Sequence, residues 1–203
     1  MKINSKYRFI TFEGIEGSGK STISRKLHEF LLANAIDNIL TREPGGTKVG
    51  EDIRSILVKE KLSPISEVLL NFAARIEHVD KVIKPSLEKQ KIVICDRFFH
   101  STYAYQASAM GIDVALIDEV RKISINNFAP DIVFLIDLPI EIALKRTRSR
   151  ADNNKYDIMA NDFHQKVRQG FLTQAQNDDK IVVLDGTKTI DDIFAEAVGL
   201  ITN

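Results

Sequence analysis

Eight consecutive residues, Gly14, Ile15, Glu16, Gly17, Ser18, Gly19, Lys20 and Ser21, set spaced glycines, a lysine and a hydroxyl in the order of a phosphate-binding loop. Gly14 and Gly19 permit the close approach and the backbone angles that let successive amide N–H groups wrap phosphate oxygens. Lys20 adds positive charge over the outer phosphates, and Ser21, followed by Thr22, offers a hydroxyl to a magnesium ion. A second pair, Asp96 and Arg97, closes an apolar run. The acid suits a magnesium ion held through its waters and the guanidinium suits bidentate phosphate binding; the alternative is that the two pair with each other or cap the next helix. Further on, Lys145, Arg146, Arg148 and Arg150 lead into the polar stretch Ala151, Asp152, Asn153, Asn154 and Lys155. Alone, that run reads as a solvated surface. Beside a phosphate loop it reads as a lid that brings positive charge over phosphates, with Arg146 and Arg150 on one helical face.

These groups need elements to position them. A phosphate loop requires a strand before it and a helix after it, so that the anion sits at the positive end of the helix. Residues 7–12 are β-branched and aromatic, as a buried strand should be, and residues 21–32 carry Ile23, Leu27, Phe30 and Leu31 at helical spacing. Further strands are expected at 38–41, 91–97, 132–138 and 181–185. Helices are expected at 48–61, 66–74, 75–90, 98–110, 113–127, after Pro139, at 161–177 and at 189–201, with Pro85 marking a kink. Thr41, Arg42, Glu43, Pro44, Gly45, Gly46 and Thr47 form a loop at the carboxyl end of the second strand, where open α/β sheets place ligands. Strands alternating with helices predict the α/β class: a five-stranded parallel sheet flanked by helices and linked by right-handed crossovers. Strand order stays open at this stage.

The whole chain of 203 residues reads as one domain. Its 28 basic and 28 acidic residues cancel, which argues against an extended nucleic-acid partner. The single cysteine, Cys95, sits in an apolar run and fits a buried core position in a reducing compartment. No apolar signal segment precedes the first strand and no stretch reaches membrane length, so a cytoplasmic protein without a membrane partner is expected. The histidines, His28, His78, His100 and His164, lack metal-ligand spacing and read as surface or helix-face residues.

A phosphate loop specifies a nucleotide, not a reaction. The base-reading Asn-Lys-x-Asp motif of GTP switches is absent from the sequence. One phosphate loop, an Asp-Arg strand end and an arginine-rich lid in a short chain point to phosphoryl transfer onto a small acceptor. The run Phe12 to Thr22, the loop Thr41 to Thr47, and Asp96-Arg97 followed by Ser101, Thr102, Tyr103, Ala104, Tyr105 and Gln106 together resemble the thymidylate kinases, in order and over almost the whole chain. That resemblance implies a nucleoside monophosphate kinase fold and a homodimer. The implied reaction joins ATP and dTMP, with Mg2+, to give ADP and dTDP.

It also implies roles. Gly14 to Thr22 would hold ATP, with Ser21 and Asp96 at the metal. Arg97 and Arg54 would bind the acceptor phosphate and Glu16 would lie near the acceptor sugar and phosphate, with Glu43 among the substrate-binding residues. Arg75 and Gln106 would read the base with Ser101 and Thr102 beside them, and Tyr105 would disfavour a ribose 2′-hydroxyl. With no arginine between Glu16 and Gly19, the chain resembles the bacterial type whose catalytic arginine comes from the lid, at about 146–160, through Arg150 with Arg146. Two positions depart from the family pattern. Asn71 stands where a thymine-stacking phenylalanine is usual, so Phe72 beside it becomes the candidate, with a core residue as its alternative. Asn154 and Lys155 stand where related lids often carry Asp-Arg. Other readings are a kinase for a different nucleoside monophosphate or a nucleoside, or an ATP-binding switch module without catalysis.

Overall fold

A computed structural model describes Asn4, residues 6–148, Tyr156 and residues 159–202. Five strands, β1 (Phe9–Glu13), β2 (Asn38–Arg42), β3 (Ile92–Asp96), β4 (Ile132–Asp137) and β5 (Ile181–Asp185), form one parallel sheet in the order β2-β3-β1-β4-β5. Side chains alternate across it, as the two-residue repeat of a strand demands. Ile10 and Phe12 of β1, with Ile94 and Phe134, face helices α1 (Lys20–Ala33) and α9 (Ile190–Thr202), against Ile23, Leu27, Leu31 and Ile201. Phe9, Val93 and Cys95 face the other way, toward α3 (Pro64–His78) and α6 (Val114–Ile125), against Val68, Phe72 and Ile117. Val133 and Leu135 pack beside them against α7 (Ile140–Arg148) and α8 (Asn161–Asn177), among Phe163, Val167 and Phe171. Cys95 is buried as expected.

The register places the chemistry. Phe12 is level with Asp96 across β1 and β3, and Arg42 is level with Asp96 across β2 and β3. The segments that follow β1, β2 and β3 therefore leave the sheet side by side, and each carries one of the motifs. The sheet continues from β1 in both directions, to β3 and to β4, which is the switch point where open α/β sheets form a crevice.

The helical boundaries differ from expectation in two places. Residues 66–90 are not two helices divided at Arg75: α3 runs from Pro64 through Arg75 to His78, where nothing breaks it, and continues through a π-turn, Val79–Ile83, into α4 (Lys84–Glu88). Pro85 has no N–H to give the preceding turn, and the i→i+5 bond from Lys84 N to Val79 O widens the helix just where that donor is lost. Residues 98–110 are likewise one helical turn, α5 (Phe99–Thr102), followed by a π segment, Tyr103–Ala109. α2 (Lys48–Lys59) begins at Thr47, whose side chain accepts from Gly50 N. Three of the four histidines are corrected from surface residues to interior ones: His78, His100 and His164 are all buried. Each lies on a helix whose polar-looking position faces inward. Among the described residues, no helix is long and apolar enough to cross a membrane.

Candidate active site

The loop after β1 rests on the backbone of its neighbours. A Cβ on Gly14 would stand 2.6 Å from the Ile136 carbonyl oxygen and one on Gly17 2.5 Å from that of Ala143, so β4 and α7 leave room only for glycine. Gly19, at φ 94°, turns the chain into α1. Lys20 is buried and curls back over the loop, its Nζ donating to the Ile15 carbonyl at 3.3 Å. Burial, and next the charge of Arg97, push its ammonium down to about 8, while Asp96, Glu16 and Glu13 pull the other way. A phosphate anion placed beside Lys20 would add to that second group and strengthen its hold on the proton.

Arg97 ties the segment after β3 to the loop after β1. Its Nη1 donates to the Gly14 carbonyl at 3.0 Å and to Ser101 Oγ at 2.9 Å, and its Nη2 donates to Glu16 Oε1 at 2.7 Å. Its backbone sits at φ 72°, a left-handed conformation costing a residue with a side chain about 1–2 kcal/mol. The surrounding contacts hold it there: Arg97 N donates to the Phe12 carbonyl at 2.9 Å. The turn is also braced from below by Glu13, whose Oε1 accepts from Phe98 N and whose Oε2 accepts from Ser101 Oγ, each at 2.7 Å. Burial raises the Glu13 carboxyl to about 7, against the opposing charge of Arg97. Glu16 moves the other way. Burial pushes it up, but Arg97, Lys20 and the Tyr105 hydroxyl outweigh that and hold it below the usual carboxylate range. The Tyr105 phenol, raised well above its ordinary value first by burial, stays protonated and donates to Glu16 Oε2.

The loop after β2 is braced by a buried chain of polar contacts. Thr41 Oγ1 meets His78 Nε2 at 2.6 Å, His78 Nδ1 meets Glu43 Oε1 at 3.0 Å, and Arg75 Nε donates to Glu43 Oε2 at 2.6 Å. Arg75 Nη1 continues it to Thr102 Oγ1 at 3.3 Å. On the other flank Arg54 Nη1 donates to the Pro44 carbonyl at 3.1 Å, and Gly46 N donates to Glu51 Oε1 at the same distance.

Two clefts meet at these residues. The first is lined by Pro44, Leu57, Val58 and Asn71 together with Ser101, Thr102, Tyr105, Gln106 and Tyr156. The second and wider cleft runs past Lys20, Ser21 and Asp96. Glu16, Glu43, Arg54 and Arg97 line both. The structure thus brings together almost every site residue expected from sequence, with three differences. Phe72 is corrected from a stacking residue to a core one: it is 1 % exposed and packs beneath Arg75, whose guanidinium lies 4.7 Å from its ring centre, because a one-residue step around α3 turns it away from the cleft that Asn71 lines. Arg75 stands immediately behind the lining, against Phe72 and Phe98. Arg150, with Asn154 and Lys155, lies outside the described residues, whereas Arg146 extends its Nη1 to the Gly17 carbonyl at 3.4 Å.

Asp96 Oδ1 is buried and accepts no hydrogen bond among the described residues, an orphaned carboxylate oxygen on the cleft that Ser21 also lines. A hard divalent cation with oxygen ligands fits that pair.

The same fold is found in proteins of known kind. The thymidylate kinase family model matches residues 12–197. The chain belongs to the thymidylate kinase family. It is 41% identical over 193 residues to a thymidylate kinase of Kosmotoga olearia, covering 94% of this chain and 93% of that protein. It is 46% identical over 172 residues to one from a Wolbachia of Brugia malayi, covering 84% and 82%. A crystal structure of thymidylate kinase from Ehrlichia chaffeensis superposes with a TM-score of 0.77 at 38% identity, over 96% of this chain and 98% of that one. As in that structure, the fold is a phosphate-loop nucleoside monophosphate kinase.

Sequence reasoning missed three groups that shape this thymidylate kinase site. Glu13 braces the Arg97 turn, while Glu67 and Tyr156 shape the first cleft beside Asn71. One signal was available for Glu67: with Asn71 and Arg75 it is spaced by four along α3, a polar row on a helix that otherwise buries Val68 and Phe72.

Proposed function

We propose that the chain transfers the γ-phosphoryl group of ATP to dTMP, giving ADP and dTDP for dTTP synthesis, as a cytoplasmic homodimer of one domain per chain. The observation that carries this reading is the shared border of the two clefts, Glu16, Glu43, Arg54 and Arg97. A donor phosphate over Lys20 in one cleft and an acceptor phosphate in the other meet at these residues, so the reaction is positioning plus charge neutralisation. ATP lies on Gly14 to Thr22. Ser21 and Asp96 hold Mg2+, which supplies charge neutralisation for the transferring phosphoryl group.

The dTMP phosphate is already anionic at neutral pH, so no general base is required of the protein. Arg97 and Arg54 hold that phosphate, and Glu16 orients Arg97 toward it from the side of the acceptor sugar. Lys20, Arg97, Arg146 and Arg150 spread the charge that develops in transfer. Thr102, Ser101 and Gln106 line the base end, Arg75 reaches it from behind Thr102, and Tyr105 occupies the place a ribose 2′-hydroxyl would need. The segment at about 146–160 serves as a lid that excludes water. The balanced charge of the chain suits a small-molecule substrate better than an extended nucleic-acid backbone.

The deciding experiment is ADP release from ATP and magnesium, with and without dTMP, with dUMP, dCMP, dGMP and thymidine compared at equal concentration. Strong stimulation by dTMP is expected. Preference for another acceptor rejects the substrate, and ATP binding without acceptor-dependent ADP release rejects catalysis.

A further inference from the structure

Glu67 takes no part in the transfer described above, yet it is 3 % exposed at the first turn of α3. Its Oε2 accepts from two residues that both line the first cleft: Gln106 Nε2 at 2.9 Å and the Tyr156 hydroxyl at 2.9 Å. A carboxylate oxygen accepts and does not donate, so it selects which end of the Gln106 amide faces it. The nitrogen turns to Glu67 and the oxygen turns away. Gln106 Oε1 accepts no hydrogen bond among the described residues, and it is not one of the sealed, unpartnered polar atoms of the interior. It opens onto the cleft that Gln106 lines.

We propose that Glu67 is a positioning residue for base selection: by holding Gln106 through its nitrogen, it presents a fixed hydrogen-bond acceptor to the base and so admits a ring N–H while rejecting a ring lone pair. The inference rests on the dTMP reading above and deepens it. Thymine and uracil both carry an N–H between their two carbonyls, and cytosine carries an unprotonated nitrogen at the same place. An Oε1 facing that edge pairs with the first two and meets the lone pair of the third. Rotation of the amide would cure the mismatch for cytosine, but it would set Oε1 against Oε2 of Glu67. A site whose buried polar group is left unpaired by the wrong ligand discriminates strongly. Tyr156, from the segment assigned to the lid, donates to the same carboxylate oxygen and so helps to fix it.

The test is the substitution Glu67→Gln in the full chain, with kcat/KM measured for dTMP, dUMP and dCMP. A glutamine at 67 donates as well as accepts, so Gln106 is free to present either end. Expected is a fall of at least about tenfold in the dTMP to dCMP ratio, while the dTMP to dUMP ratio, which involves the same ring N–H, stays within about twofold. A purely structural role would lower all three substrates together and leave both ratios unchanged, and that result overturns the proposal. Should Glu67→Gln fail to fold, Glu67→Asp, whose carboxylate retreats by one methylene from Gln106, is read by the same two ratios with the same criterion. Failure of the wild-type chain to use dTMP overturns the acceptor reading, and this inference with it. Discrimination by the wild type that the variants keep in full overturns this inference alone.

Discussion

Gly17→Ala tests how tightly the phosphate loop is seated on α7. The new Cβ would stand 2.5 Å from the Ala143 carbonyl oxygen and 3.2 Å from its Cα, so the obstacle is backbone and cannot rotate away. Overpacking of this kind costs about 1–3 kcal/mol. The position also lies at φ +80°, which adds about 1–2 kcal/mol for a residue with a side chain. A combined loss of about 3 kcal/mol lowers the melting temperature of a chain this size by about 6–12 °C. Two companions separate the terms. Gly111 has φ +79° but nothing within 4 Å of its added Cβ, so Gly111→Ala carries the backbone term alone, a few degrees. Gly199 lies within helix α9 with nothing within 4 Å, so Gly199→Ala should stabilise by about 0.5–1 kcal/mol. Thermal unfolding of the four proteins by circular dichroism gives the order directly. The order expected is Gly199→Ala, wild type, Gly111→Ala, Gly17→Ala, from highest to lowest. Equal melting of Gly17→Ala and Gly111→Ala would refute the contact with Ala143. Because Arg146 of the same helix donates to the Gly17 carbonyl, the displaced loop should also raise KM for ATP.

Three further outcomes follow from the site. Glu13 rises from 4.5 unfolded to about 7 folded, so its contribution is full below pH 4.5 and is lost as pH climbs through 7. The difference corresponds to about 3 kcal/mol as an order of magnitude. In magnesium-free buffer the melting temperature of the wild type should therefore fall relative to Glu13→Gln between pH 5 and 8, and a constant difference would contradict the burial argument. Arg97→Lys keeps the charge but loses the fork that spans Gly14, Ser101 and Glu16, so kcat/KM for dTMP should drop at least about a hundredfold in steady-state assays, and a loss under fivefold would show that charge alone suffices. Asn71→Phe places a ring on the cleft wall where Asn71 now stands, and base–aromatic stacking of about 1–3 kcal/mol should lower KM for dTMP about tenfold with little change in kcat. An unchanged KM would mean that the base does not lie against this wall.

Much of this was legible along the chain because it depends on local physics. The phosphate loop announces itself because glycine, lysine and hydroxyl must follow one another closely to wrap one anion. The five strands announce themselves as short apolar runs that end at Glu13, Arg42, Asp96, Asp137 and Asp185, where polar residues take over. The π segments were not legible. Nothing in the run Tyr103–Ala109 distinguishes an i→i+5 turn from an ordinary one, yet that turn sets where Tyr105 and Gln106 stand along the cleft. Phe72 shows the same limit, since one residue of helical phase decides between a cleft wall and a core, and the phase of α3 is set by how its row of apolar residues seats on the sheet.

By itself the sequence determined the fold class and the family's phosphate-loop signature, since each is written in neighbouring residues or in their repeat. The tertiary structure alone decided which distant residues serve them. Glu13 and Ser101 meet 88 positions apart, Glu67 and Tyr156 89 apart, and Arg75 and Glu43 32 apart. Buried polar groups must find partners wherever the fold brings them, and the order β2-β3-β1-β4-β5, which no local repeat encodes, sets which loops lie side by side.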